Sequence, residues 1–465
     1  MSMRYLGGFI TASYNPLKVP NAPTIGTVTA GNAQVSVAFT APSNVGGGAI
    51  TSYIVLVQNT STGVAVTGTG TSSPIVVTGL TNGQTYTAKV AAVNTYGPGP
   101  YSSPSGSFSY APKLYAWGNN TGGQLGQNDR VARSSPVQVG ALTNWSVARM
   151  GRVFSQAIKT DGTLWSWGRN DIGQLGQNDV VNRSSPVQVG ALTTWSTISS
   201  GLDFTIAIKT DGTLWSWGTN NSGELGQNDR VNRSSPVQVG AGSTWSSVVT
   251  GWFFSIATKT DGTLWSWGDN NSGQLGQNNV VYRSSPVQVG ALTTWLKITS
   301  GYAHVLAVKT DGTLWSWGKN TNGGALGLGD QQNRSSPVQV GALTNWSLVG
   351  ACSYTSASIK TNGTLWTWGN NDYGRLGLST SGAYTNISSP AQVGALTTWA
   401  LVSGGNGYSF GAIKTDGTLW TWGKNSDGQL GLGDTNNKSS PSLVGASTTW
   451  LSISGGIYST IATSN

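Results

Sequence analysis

A short aromatic phrase returns seven times in the C-terminal three quarters of the chain: LYAWG at 114–118, LWSWG at 164–168, 214–218, 264–268 and 314–318, LWTWG at 365–369 and 419–423. Successive copies start 50, 50, 50, 50, 51 and 54 residues apart. Periods of that length mark propeller blades and solenoid units, which bury a core only by stacking on their neighbours. One copy cannot fold alone, so function is expected to be spread over a surface that several copies share.

Each repeat divides into four strand-like runs, PVQVG, WSVARMG, SQAIKT and TLWSWG in the copy that begins at Pro136, separated by Gly, Asn and Ser clusters. Asp161-Gly162 joins the last two runs and reads as a two-residue hairpin turn with positive φ at both central positions. Trp165 and Trp167 are two apart, so they share one face of a strand and can fill the space between neighbouring sheets. The array enters at Lys113 with only a last strand and stops at Asn465 after middle strands, so each end lacks what the other carries. The expectation is a ring of seven blades over residues 113–465, closed by strands from both ends of the array, with Asn465 near Lys113.

Residues 20–112 have a different texture. VSVAFTAP, ITSYIVLVQN, SSPIVVTGL and YTAKVAAVN alternate apolar and polar residues between turn clusters, which reads as a small β-sandwich. The fold class is therefore all-β, a sandwich followed by a propeller. Ahead of it lies an arm, residues 1–19, with Arg4, Tyr5, Phe9 and Tyr14 and almost no charge. It is too short and interrupted to span a membrane and is either a flexible terminus or a docking arm that orders on a partner.

Composition restricts the chemistry. Charged residues are 9% of the chain, against roughly 25% in an ordinary globular protein, which argues against a typical cytosolic enzyme. The single Cys352 excludes an internal disulfide, and the single His304 leaves no histidine pair for a metal or a nucleophile triad. No dense Asp-x-Asp run suits calcium, and no Gly-rich phosphate loop precedes a helix. Asp161, Asp211, Asp261, Asp311 and Asp416 belong to hairpins, while Asp129, Asp179, Asp229, Asp330 and Asp434 sit in loops as backbone caps. Catalytic residues, metals and cofactors are accordingly expected to be none.

Two sets of side chains are candidates for binding. A cation recurs by blade at Arg133, Arg183, Arg233, Arg283, Arg334 and Lys438, broken by Ile387; it is either a basic rim or a set of internal braces. The second set follows the Gly that ends the second run, where the copies diverge: Arg152, Leu202, Asp203, Trp252, Phe253, Tyr302, His304, Ser353 and Asn406. The ring that ends each of these segments (Phe154, Phe204, Phe254, Tyr354, Tyr408, Tyr458) is assigned to a repeated packing niche, and the varied residues before it to recognition. No basic helix or interleaved aromatic strand supports nucleic-acid binding, despite the net charge of +9.

The segment W-G-x-N-x-x-G-Q-L-G (Trp167, Gly168, Asn170, Gly173, Gln174, Leu175, Gly176), the following S-S-P-x-x-V and the A-I-K-T-D-G-T-L hairpin resemble the regulator-of-chromosome-condensation repeat family. That resemblance implies a seven-bladed propeller whose varied loops gather at one mouth of a central channel. Leu80 to Ser102 resembles the end of a fibronectin type III domain, with Tyr86 placed for the corner hydrogen bond and Phe39 where a Trp is usual. Arm, sandwich and variable domain in that order look like the plan of a tailed-phage virion protein. The functional expectation is a non-enzymatic virion structural or attachment protein. The arm would contact other virion proteins and the propeller a host-surface glycan or protein, with homo-oligomers possible and no membrane insertion. A bacterial extracellular or cell-surface binding or inhibitor protein is the alternative, and an exchange-type regulator of a small GTPase comes after that.

Overall fold

The computed structural model describes residues 18–31, 33–379, 385–405 and 407–465. They form two compact units that divide between Ala111 and Pro112. The first is a two-sheet sandwich. Thr24–Gly31, Gln34–Thr40 and Ile75–Thr78 make one sheet, and Ala65–Gly70, Ile50–Asn59, Tyr86–Asn94 and Gly97–Pro98 make the other. Alternation in the sequence becomes alternation in burial, so Val35, Val37, Val55, Val57, Ala88 and Val90 meet in one core. Phe39 packs on Tyr53 with ring centroids 4.6 Å apart. The Tyr86 hydroxyl accepts from the Thr81 amide at 2.9 Å, the corner bond expected of this residue.

The second unit is the propeller. Every blade is a four-stranded antiparallel meander, as in Trp145–Met150, Phe154–Lys159, Leu164–Gly168 and Arg183–Gln188. The ring closes as the repeat ends require. Trp450–Gly455 and Ser459–Ser464 pair with Lys113–Gly118 and Arg133–Thr143 in one sheet, with Ser464 opposite Lys113 and Ser459 opposite Gly118. The hairpin differs from its sequence reading. Gly162 alone takes positive φ, at 78°, while Asp161 does not. The Gly162 amide donates to Lys159 O at 2.9 Å and the Lys159 amide to Thr163 O at 3.0 Å, a type I turn followed by a glycine bulge. Asp161 acts through its side chain, which accepts from the Thr163 amide and hydroxyl at 2.9 and 2.7 Å.

What joins blade to blade is the second tryptophan of each LWSWG. Trp117, Trp167, Trp217, Trp267, Trp317, Trp368 and Trp422 have no solvent exposure. Each donates its indole N–H to a carbonyl one repeat earlier, as in Trp167 to Gln124 O at 2.9 Å and Trp267 to Glu224 O at 2.9 Å, and Trp117 closes the circle onto Gln429 O at 2.9 Å. The Gly two residues beyond that carbonyl leaves room for the ring: a Cβ on Gly226 would lie 2.8 Å from Trp267 Nε1. The first tryptophan of a blade packs at a steep angle on the other two, with Trp195 centroids 6.1 Å from Trp215 and 5.9 Å from Trp217, and in the closing blade Trp450 does so on Tyr115 and Trp117. A lysine caps the group, Lys209 Nζ lying 3.5 Å from the Trp215 centroid.

The side chain on this carbonyl shelf is Gln in four blades (Gln124, Gln174, Gln274, Gln429) and Glu224 in one. Glu224 is fully buried; Oε2 accepts from the Ser222 amide at 2.7 Å and Oε1 finds no partner among the described residues. Burial pushes its pKa up to about 7. A carboxyl whose pKa is raised on folding binds more protons folded than unfolded, so its contribution is complete below pH 4.5 and is lost as pH rises through about 7. The full loss is about 3 kcal/mol. Glu224→Gln should therefore raise the denaturant midpoint at pH 8 and leave it unchanged at pH 4, measured against the parent protein at both values.

Candidate recognition site at the propeller mouth

The first strand of every blade lines the central channel, a cavity of about 300 Å³. Arg149 is the one charged residue on its wall among the described residues, in company with Ser199, Thr250, Thr299 and Ser454. The varied loops follow directly on these strands, so they gather where the channel ends. Their backbone forms a belt. The Arg152 amide donates to Leu202 O at 3.0 Å, Leu202 to Trp252 O at 3.2 Å, Trp252 to Tyr302 O at 3.3 Å, Tyr302 to Ser353 O at 3.0 Å, and Ser353 to Gly407 O at 2.9 Å. Because each loop is bonded to the next, the side chains it carries are held at fixed spacing around the rim.

The belt separates the sequence candidates into two kinds. Arg152, Trp252, Phe253 and Tyr302 are half-buried, with part of each side chain open to solvent. Leu202, Asp203, His304 and Ser353 are buried. Asp203 is held by Arg152, with Nη2 to Oδ2 at 2.6 Å and Nε to Oδ1 at 3.2 Å. Burial pushes its carboxyl up, while the Arg152 and Arg169 charges pull it down. Asn406 lies outside the described residues, as do Arg4, Tyr5, Phe9 and Tyr14 of the arm.

One assignment is corrected by the pairing register. Phe154, Phe204, Phe254, His304, Thr355, Ser409 and Ser459 occupy equivalent positions, each opposite the Gly of a WG pair. The packing niche therefore holds His304, and Tyr354, Tyr408 and Tyr458 stand one residue earlier, half-buried at the rim. The niche is cut by the preceding glycine: a Cβ on Gly151 would lie 2.1 Å from Phe154 Cε1, and one on Gly301 would lie 2.3 Å from His304 Cε1.

With the register corrected, the rings form an arc. Trp252 and Tyr302 lie 4.4 Å apart between centroids, Tyr302 and Tyr354 5.1 Å, and Tyr373 and Tyr408 6.2 Å. Two lysines stand over it. Lys319 Nζ is 5.2 Å from the Tyr302 ring and 5.5 Å from Tyr354; Lys424 Nζ is 5.7, 5.6 and 5.5 Å from Tyr373, Tyr408 and Tyr458. Both lysines directly follow a WG pair, and their amides donate to Ala303 O and Tyr408 O, which sets them against the loops. Arg375, 1% exposed, replaces the shelf glutamine beneath the arc, its guanidinium 4.9 Å from the Tyr408 centroid and its Nη1 unpartnered among the described residues. Sequence reading missed Lys319, Lys424 and Tyr373. Counting residues from the Trp that opens each first strand would have placed Tyr354 and Tyr458 with Val153.

The rest of the surface carries less. Five of the six recurring cations are tied to an aspartate four residues earlier: Arg133 to Asp129 at 2.6 Å, Arg183 to Asp179 at 2.6 Å, Arg233 to Asp229 at 2.5 Å, Arg334 to Asp330 at 2.5 Å and Lys438 to Asp434 at 2.9 Å. They brace their own loops and do not form a free basic rim. Arg283 is the exception. His304 is neutral, its pKa lowered to about 4 by burial, with Nε2 3.0 Å from Ser356 Oγ. Burial pushes the Cys352 thiol up to about 11. Neither is placed or charged for acid-base or nucleophilic work at neutral pH, and no cluster of metal-ligating side chains occurs among the described residues. A histidine whose pKa is lowered on folding costs stability as pH falls from 6.5 through about 4, about 3 kcal/mol in all. His304→Phe, the residue three other blades place there, should lose less stability than the parent between pH 7.5 and pH 4 in chemical denaturation.

Comparison with known proteins agrees with this geometry. Regulator of chromosome condensation (RCC1) repeats match residues 113–157, 161–208, 211–258, 261–308, 311–359, 362–412 and 416–463, and a fibronectin type III domain matches 21–107. The ultraviolet-B receptor UVR8 of Arabidopsis thaliana is 32% identical over 128 residues, 26% of this chain and 28% of that protein. The E3 ubiquitin-protein ligase HERC2 of Homo sapiens is 35% identical over 126 residues, 26% of this chain and 2% of that protein. The matched segments thus span a minor part of either relative. Among solved structures, Prp20p of Saccharomyces cerevisiae superposes with a TM-score of 0.68 at 20% identity, covering 76% of this chain and 91% of its own. Human WBSCR16 superposes equally, at 0.68 and 20%, covering 76% and 99%. The chain belongs to the RCC1 repeat family and carries a fibronectin type III domain ahead of its propeller.

Proposed function

We propose that this chain is a non-enzymatic recognition protein whose contact surface is the aromatic arc at the propeller mouth. The observation that carries the reading is the unbroken contact of Trp252, Tyr302 and Tyr354 beneath Lys319. Rigid rings supply contact area at small entropic cost, and the backbone belt has already ordered them. Related propellers are known in complex with proteins, yeast RCC1 with Kap60 among them, which favours a protein partner. The finer reading is a virion attachment protein. In it residues 1–19 dock to other virion proteins, the domain over 20–112 acts as a spacer, and the propeller over 113–465 faces a host-surface protein or glycan. The order of segments in the sequence supports it, with an extracellular bacterial binding protein as the alternative.

The test compares full-length protein, a form lacking residues 1–19, and the double variant Tyr302→Ala, Tyr354→Ala for binding to host-type cells and to disrupted virions. Loss of each ring should cost about 1–2 kcal/mol, or roughly tenfold in affinity, with the melting temperature of the variant measured alongside. Cell binding that survives the double substitution would place recognition elsewhere on the propeller. Particle binding that persists without the arm would remove its docking role.

A further inference from the structure

Between the fourth strands of two neighbouring blades, Arg283–Gln288 and Arg334–Gln339, lies a cleft of about 490 Å³. Its walls are mostly apolar, with Trp295, Trp315, Leu292 and Pro337 facing Arg283 and Gln277. The repeats supply their own control. The equivalent cleft two blades earlier, about 320 Å³, has Trp195, Trp215, Leu192 and Pro236 in the same places, but Arg183 is not part of its wall. The loops before the two arginines differ at two positions, Asn182 against Tyr282 and Asp179 against Asn279; Tyr282 turns to Asn271 and Arg230, and the second difference removes the carboxylate that holds the arginine. Arg183 is pinned to Asp179 at 2.6 Å, with Nη1 donating to Val181 O at 2.7 Å, whereas the residue four before Arg283 is Asn279. Asn279 keeps the loop, since its Oδ1 accepts from the Val281 amide at 3.0 Å as Asp179 accepts from Val181. It cannot neutralise a guanidinium. Arg283 instead donates Nε to Gln277 Oε1 at 3.2 Å, and Gln277 is itself fixed by its Nε2 donating to Ser266 Oγ at 2.9 Å. The two terminal nitrogens have no hydrogen-bond partner among the described residues, and Arg283 is the charged residue of the cleft wall. The Trp295 indole N–H beside them has no partner among the described residues, but neither has that of Trp195, Trp245, Trp346, Trp399 or Trp450, so the arginine alone sets this cleft apart.

We propose that this cleft is a binding site for a small organic carboxylate with an apolar ring body. The carboxylate would take the fork of Arg283, which matches its two oxygens in one plane, and the ring would rest against Trp315 and Leu292. The site is separate from the mouth, so it stands whether or not the mouth reading does.

The experiment is calorimetric titration of the full chain with 3-phenylpropionate, with the neutral 3-phenylpropionamide and with glucuronate, followed by the indole N–H signals in NMR. Expected are binding of 3-phenylpropionate with a shifted Trp295 signal, at least about tenfold weaker binding of the amide, and weaker binding of the polar-bodied glucuronate, since a charge-assisted pair is at stake. Asn279→Asp, which installs the residue that five other blades carry, should recapture Arg283 and weaken binding by about tenfold without loss of fold. Asp179→Asn should open the sibling cleft and add a second binding event. Equal binding of acid and amide, or no effect of Asn279→Asp, overturns the assignment to Arg283. Preference for glucuronate overturns the ligand class, and absence of binding by all three overturns the site.

Discussion

The structure rests on an indole N–H reaching across a blade boundary to a backbone carbonyl. Seven such bonds run in one direction around the ring, from Trp117 to Gln429 O through Trp422 to Arg375 O. Each lies in a water-free contact, where a missing partner would cost the full desolvation of the donor. The shelf carbonyl can be reached only because Gly replaces a side chain two residues later, so motif and contact define one another. Chain identity at the shelf side chain is free by comparison, and Gln, Glu, Ala and Arg all occur there. That freedom admits Glu224 and Arg375 into the interior, the first at the expense of neutral-pH stability.

The same logic of shared edges governs the mouth. Amides that a single blade leaves unpaired are satisfied by the next loop, from Arg152 round to Gly407. A belt of this kind decouples backbone from side chain, so residues as different as Leu202, Trp252 and Ser353 take one backbone role. Variation at the rim is therefore cheap for the fold, which is the physical condition for a surface that can be respecified. Burial leaves His304 and Cys352, the single histidine and cysteine of the chain, both uncharged at neutral pH.

Much of the fold was legible because repetition multiplies weak signals. A single Asp-Gly or a single Trp pair is ambiguous, whereas a 50-residue register of both leaves little choice of architecture. Legibility failed where a repeat was read by residue type and not by count. Tyr354 looked like the counterpart of Phe154, yet pairing sets Thr355 opposite Gly369, and the tyrosine moves from core to rim. The turn at Asp161 failed for a related reason, since Asp-Gly serves both a two-residue turn and the glycine-bulge turn found here. The recurring cations stay open between rim and brace in the sequence for a different reason: Arg133 and Asp129 are four apart in an irregular loop, where spacing does not say whether side chains meet.

Alternation, turn residues and the recurring aromatic phrase determined by themselves the all-β class, the closure of the ring and the sandwich ahead of it, because these depend on periodic burial that local chemistry encodes. Tertiary structure alone decided which rings face solvent, which cations are neutralised and which cleft keeps its arginine. Those outcomes depend on the register between strands and on contacts from a neighbouring blade, and a one-residue offset reverses the face on which a side chain emerges.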